Sequence, residues 1–334
     1  MRDPVTGYEY PDPWVSSCNS QEARDLVARG LAVLTASGTV LRRGFTTGTT
    51  AAAACKAAIL SQRGPVASVR IRTPCGIAVD VPVRGAGGSA ECRKYSGDYP
   101  GDATAGIRII ATAEERGEGF VLEAGAGIGT YGRTTPRFRK GTPAITEGPL
   151  SCILQSVEEA LMLTGLPGIS ILLSVPDGEA VAAHTLNSRV GVMGGISILG
   201  STGLVEPWDD HLGASVLERV TRAPRVVLTT GRIGLRYARL CFPEHEVVLV
   251  GSRIREALSA AAGEVVLFGL PALILKFIRP DILGGTGYET VEEMCASPDF
   301  SAFLSGILAR FRQEHPDIRV IIINRDGDIL GESP

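Results

Sequence analysis

The sequence predicts an α+β amino-terminal domain followed by a smaller α/β, Rossmann-like domain with a mainly parallel sheet. Three observations predict it. A length of 334 residues is enough for two separate cores. Up to Ala223 the strand-like segments follow one another without regular helices between them, as in α+β units. After Ala223, short apolar strands alternate with helices, as in a parallel sheet covered on both faces. The chain therefore divides into an extension (1–41), an α+β domain (42–223) and an α/β domain (224–334), with the break near 221–225.

Residues 1–41 are a polar, proline-bearing lead-in with a short helix over 21–29. Tyr8, Tyr10 and Trp14 would pin it to the body, as packing or as a lid. Next, a hydroxyl-rich turn (Gly44, Thr46, Thr47, Gly48, Thr49, Thr50) runs into Ala51–Ala54, where a helix should start with Thr49 or Thr50 as its cap. The first turn of such a helix carries unpaired N–H groups and partial positive charge, which suit a carboxylate or phosphate. Taken alone, the turn is better explained as the start of an ordinary capped core helix. Period-two alternation gives strands over 69–72 and 77–83 around a Pro74-Cys75-Gly76 turn. Further strands are expected over 107–112 and 119–123, then a Gly/Pro-rich loop (125–149), a helix over 151–163 and a strand over 169–175.

In the second part, strands over 226–229, 247–250 and 265–268 alternate with helices over 231–240, 253–262 and 271–277. Helical segments at 291–294 and 300–312 precede a closing strand at 318–324, which turns at Asp326-Gly327.

Composition narrows the function. Hydrophobic residues make up 44% and charged residues 21%, ordinary for a globular chain, and the net charge of −3 argues against a nucleic-acid surface. The seven cysteines are odd in number and scattered, with no CxxC pair and no Cys/His cluster. Neither a disulfide framework nor a metal site is expected. No leader pattern and no apolar run near 20 residues is evident, so a cytoplasmic protein away from membranes is expected.

A second glycine-rich stretch spans 188–203, with Gly194, Gly195, Gly200 and Gly203 bracketing a short apolar strand. Bare backbone amides beside Ser197, Ser201 and Thr202 suit a carboxylate or a ribose hydroxyl, and a tight strand crossing would explain the glycines as well. No GxxxxGK[ST] pattern occurs, which counts against a phosphate-transferring alternative.

Together, Arg43-Gly44-Phe45-Thr46-Thr47-Gly48-Thr49, Thr73-Pro74-Cys75-Gly76, the 98–106 loop, 125–129, 141–145, Val175-Pro176-Asp177-Gly178, Thr185-Leu186-Asn187 and the 188–203 stretch resemble the CbiD family. These are the cobalt-precorrin-5B C-1-methyltransferases of anaerobic cobalamin synthesis. Thr230-Gly231-Arg232-Ile233-Gly234 and Val250-Gly251 extend the resemblance, which runs over roughly 42–275. Thr50 stands where the family usually has cysteine, and the tail from Phe277 lends no support. A non-catalytic or altered-substrate corrinoid-binding paralogue is the alternative reading.

The resemblance implies methyl transfer from S-adenosylmethionine to a cobalt-containing tetrapyrrole, a small-molecule partner; a homo-oligomer is left open. It implies substrate contacts at Thr46, Thr47, Gly48, Thr49, Lys56 and Arg189, with Arg42 and Arg43 further candidates for anionic side arms. Donor contacts would come from Gly194, Gly195, Ser197, Gly200, Thr202, Gly203, Thr230, Gly231 and Gly234, between the domains. Asp177 is the first candidate for the methyl-transfer step, ahead of Glu206 and Asp102.

Overall fold

The computed structural model describes residues 1–99, 101–134, 138–185, 187–188, 191–207 and 216–334. The fold is mixed α/β with several sheets, two of them large. The first has six strands in the spatial order Val66–Arg72, Ala78–Ala86, Ser89–Arg93, Arg108–Glu115, Gly168–Ser174, Gly119–Ala124. All neighbours are antiparallel except the last pair, which is parallel. The strand Ser89–Arg93 was not foreseen. It is short and follows a two-glycine turn, Gly87-Gly88, so its alternation is too brief to stand out.

Helix Thr47–Leu60 lies against this sheet with helix Glu147–Thr164 beside it, and residues 47–59 of the first are buried all round. A helix enclosed on every side needs small side chains, which the alanine run supplies. The helix begins earlier than expected. Thr46, not Thr49 or Thr50, is the cap: it has extended backbone, and its hydroxyl accepts from the Thr49 N–H at 3.3 Å.

The second large sheet has five strands in the order Glu246–Leu249, Arg225–Thr229, Glu264–Gly269, Ile318–Ile323, Ile329–Glu332. Numbered along this part of the chain, the order is 2-1-3-4-5. The first four strands are parallel and the last is antiparallel. That final strand was missed because the Asp326-Gly327 turn looked like the end of the element, whereas it is the turn of a hairpin. Alternate residues face opposite sides: Val227, Val266 and Ile321 pack with helix Arg232–Cys241, and Val226, Leu267 and Val320 with the helices opposite. Helix Val216–Arg222 contributes Val216 and Val220 to that second core, so packing around this sheet begins before 221–225.

The amino-terminal extension is packed down. The Tyr8 ring meets Tyr10, Trp14 and Tyr237 at centroid distances of 5.4, 6.2 and 5.4 Å, and Val33 enters the core beside helix Arg232–Cys241. Of the two readings for these aromatics, packing holds. Among the described residues, no helix is long and apolar enough to cross a membrane.

Candidate functional site

A cleft of about 600 Å³ opens where the start of helix Thr47–Leu60, the 196–206 segment, the 94–104 loop and the start of helix Arg232–Cys241 converge. Local bonding explains the convergence. Thr47 Oγ1 donates to the Ser197 or Leu199 carbonyl (3.1 and 3.3 Å) and accepts from the Leu199 N–H at 2.9 Å. Gly48 N–H donates to the Leu199 carbonyl, and Thr49 Oγ1 to the Gly203 carbonyl at 2.6 Å. The two glycine-bearing motifs are thus stitched together.

Two glycines are required for the seam. At Gly200 (φ 137°) a β-carbon would lie 2.4–2.5 Å from Thr46 side-chain atoms; at Gly203 (φ 81°) it would lie 2.6 Å from the Pro74 ring. From outside, the Cys75 N–H holds the Thr202 carbonyl, and Gly195-Ile196 pair with Gly127-Ile128. The Ile198 N–H donates to the Ala144 carbonyl. The segments that carried the family resemblance therefore meet in space and brace one loop.

The stitching changes the expected role of the helix start. Its N–H groups at Gly48, Thr49 and Thr50 are spent on the chain's own oxygens, so this end is a structural joint more than an open anion site. Thr46 and Thr47 still line the cleft. Thr50 is fully buried, its hydroxyl bonded to the Thr46 carbonyl.

Two buried ionic groups border the cleft. Asp102 accepts from the Lys94 ammonium, Ser96 Oγ (2.7 Å), Thr104 N–H (2.9 Å) and Thr104 Oγ1 (2.6 Å). Burial alone would raise its carboxyl, but Lys94 and these hydrogen bonds outweigh burial and hold it at about 2. The second group is Arg43, its side chain wholly buried. Its two Nη groups bind Asp3 at 3.0 and 2.7 Å, and its Nε reaches both oxygens of Glu206 at 3.0 Å. Only Glu206 of this trio lines the cleft, and burial raises its carboxyl more than Arg43 lowers it. On the facing helix, Arg232 and Arg236 line the cleft, and Arg236 Nε is buried with no hydrogen-bond partner among the described residues.

Of the residues singled out from sequence, Thr46, Thr47, Ser197, Gly200 and Thr202 line the cleft. Gly48, Thr49 and Gly203 form the seam behind it. Gly194 is exposed, and Gly195 is paired with Gly127; both lie off the lining. Thr230, Gly231 and Gly234 support the next turn, whose Arg232, Ile233, Leu235 and Arg236 face the cleft in their place. Lys56 is elsewhere: it is buried, paired with Glu159 at 2.5 Å and bonded to the Arg70 carbonyl. Arg43 is a buried tie, not a free cation for ligand arms. Asp177 is exposed, paired at 3.3 Å with Arg108, and does not line the cleft. Arg189 lies outside the described residues.

Sequence reasoning missed Lys94, Tyr99 and Arg236. Arg236 had a usable signal, since it falls one helical turn after Arg232 and shares its face. Lys94 carried none, because a lysine ending a strand is usually solvated.

The comparisons agree with one another. A family model described as CbiD matches residues 34–207. A cobalt-precorrin-5B C(1)-methyltransferase of Methanoregula boonei is 57% identical, with both chains covered in full. One of the same name from Methanospirillum hungatei is 50% identical, again over the whole of both chains. These matches include the tail after Phe277, where the motifs had given no support. A crystal structure described as the cobalamin biosynthesis protein cbiD of Archaeoglobus fulgidus is 36% identical, with a TM-score of 0.57 over 97% of this chain and 100% of that one.

Proposed function

The chain belongs to the CbiD family, and from that premise we propose that it is a C-methyltransferase that methylates C-1 of cobalt-precorrin-5B in cobalamin biosynthesis. The reaction named for its relatives at 50–57% identity over the full chain is the reaction assigned here, in preference to a non-catalytic paralogue. The observation that carries the reading is the cleft itself. Thr46, Thr47, the 94–104 loop, the 196–206 segment and the 232–236 turn, all within or beside motifs that mark the family, line one cavity, and about 600 Å³ lies within the size range of small-molecule sites.

S-adenosylmethionine is the proposed methyl donor; when bound, it supplies an electrophilic methyl on a sulfonium. The cleft fits such a zwitterionic group. It offers a guanidinium nitrogen on Arg236 that has no hydrogen-bond partner among the described residues and a carboxylate on Glu206 that burial raises, over a wall of small and apolar residues. Arg232 and Arg236 are placed to hold carboxylates, whether of the donor or of the acetate and propionate arms of the precorrin. Thr46, Thr47, Ser197, Gly200 and Thr202 shape the floor between them. The nucleophilic carbon belongs to the substrate, so the chain's work is alignment of the two reactants and exclusion of water. Asp177 has no part in this reading.

The 224–334 part is proposed as a Rossmann-like domain. Its 2-1-3-4-5 strand order places a topological switch point between Arg225–Thr229 and Glu264–Gly269, and the cleft meets the helix that follows the first of these strands. A cytoplasmic setting, with the cobalt-precorrin as the small-molecule substrate beside the methyl donor, completes the proposal.

The test is incubation of the purified protein with methyl-labelled S-adenosylmethionine and cobalt-precorrin-5B. Label is expected at C-1 of the macrocycle. Binding of both reactants without transfer would return the paralogue reading.

A further inference from the structure

Resting on the reading that the cleft takes a sulfonium methyl donor, we propose that Glu206 is the contact for a cationic group of that donor, and that Asp3 of the amino-terminal extension is its positioning residue, acting through Arg43. No motif pointed to the extension, and its place in the structure gives it this role.

The argument is one of charge and bonding. One buried guanidinium stands between two carboxylates, so the trio carries a net charge of −1. The sharing is unequal. Asp3 takes both Nη groups and also accepts from the Val5 N–H and the Thr6 hydroxyl, so its lone pairs are well used. The remaining Arg43 Nη1 hydrogen goes to the Gly30 and Ala32 carbonyls. Among the described residues, Glu206 is left with Nε alone. The excess negative charge therefore falls on the carboxylate that faces the cleft, with 22% of its side chain exposed against 2% for Asp3.

Among the described residues, no group besides Arg43 is paired directly with Glu206. Tyr10, held as a neutral phenol by burial, feels the same trio. Arg236 lowers the Glu206 carboxyl from a distance, yet among the described residues no ion pair within 4.0 Å joins the two. A buried carboxylate with an incomplete counter-charge is stabilised by a cation entering beside it. The donor's sulfonium and its α-ammonium are both such groups.

Removing Asp3's charge would leave Arg43 to neutralise Glu206 fully. The Glu206 carboxyl would then fall towards its ordinary range, and its attraction for a cation would weaken.

The experiment measures binding of S-adenosylmethionine and of S-adenosylhomocysteine, which lacks the sulfonium charge, by titration calorimetry from pH 5 to 8. For the wild type, donor affinity should fall on the acid side as Glu206 protonates. Glu206→Gln should weaken S-adenosylmethionine about tenfold or more at neutral pH and abolish the acid limb. Glu206→Asp, which keeps the charge, should retain that limb. Loss confined to S-adenosylmethionine assigns the sulfonium, and equal loss of both ligands assigns the ammonium; either supports the proposal. Asp3→Asn should weaken donor binding and move the acid limb to lower pH, a displacement that mere loosening of the fold would not produce. Unchanged affinity in Glu206→Gln overturns the Glu206 assignment, and an unmoved limb in Asp3→Asn overturns the positioning role. A wild type that binds neither ligand overturns the donor assignment itself, and with it this inference.

Discussion

The two ionic groups that flank the cleft use the same chemistry to opposite ends. At Asp102 the carboxylate receives four donors among the described residues, the Lys94 ammonium one of them. Asp3–Arg43–Glu206 is one cation to two carboxylates, and among the described residues the one at the cleft receives a single N–H shared between its oxygens. Burial raises both acids, yet Asp102 ends at about 2 and Glu206 ends above its ordinary value. Burial together with the Asp3 charge outweighs Arg43 at Glu206, whereas the Lys94 charge and the hydrogen bonds outweigh burial at Asp102. A saturated carboxylate fixes a loop; an under-supplied one keeps affinity for something not yet present.

The most severe way to break the comparison is to remove the shared cation. Arg43→Met leaves Asp3 and Glu206 facing each other without a counter-charge, and should cost about 3–5 kcal/mol of stability. Denaturant unfolding at pH 7 would measure it, and the loss should shrink at acid pH as the two acids protonate. Arg43→Lys should rescue only part of it, because a single ammonium cannot serve two carboxylates and two carbonyls in the guanidinium's fork. A full rescue by lysine would mean that the geometry of the fork is irrelevant.

Asp102→Asn comes next, at about 2 kcal/mol, because the amide keeps some acceptor capacity but removes the charge that faces the buried Lys94 ammonium. The pH dependence follows from the depressed value. The stabilisation from Asp102 is complete above the unfolded value of 3.8 and is lost as pH falls from there towards about 2. The variant and the wild type should therefore converge in stability between pH 4 and 2. A difference that persists undiminished at the acid end would show that Asp102 matters through shape and not charge.

The seam between these two walls was largely legible in sequence, and the walls were not. Thr46 to Thr49 and Gly200 to Gly203 declared themselves because a close backbone approach demands small or hydroxylated residues in a recognisable order. The parallel sheet was visible through the spacing of its apolar strands, while its last strand hid behind a hairpin turn. Ionic partners leave no such local trace. Arg43 finds Asp3 40 positions away and Glu206 163 positions away, and nothing in a linear pattern joins them. The same blindness made Lys56 and Asp177 look available, although one is committed to Glu159 and the other to Arg108. It also favoured the helix start as an anion site, because the sequence cannot show that Leu199 and Gly203 carbonyls already occupy its donors.

The sharpest form of the comparison is also the smallest in magnitude: the same chemical change made on the other wall. Glu206→Gln removes a carboxylate whose ionisation the fold resists, and the amide oxygen can still accept from Arg43 Nε. A carboxyl raised in the folded state contributes stability that is fully present below its unfolded value of 4.5 and is lost as pH rises through the folded value. At pH 7 that loss is complete in the wild type and absent in the variant. Glu206→Gln should therefore be neutral or stabilising by about 1 kcal/mol or less at pH 7, with the gain vanishing near pH 4. Asp102→Asn and Glu206→Gln would then differ in sign at neutral pH although each exchanges one acid for its amide. A destabilisation of Glu206→Gln as large as that of Asp102→Asn would mean that Arg43 neutralises both of its partners fully, and that the cleft carries no unbalanced charge to offer a ligand.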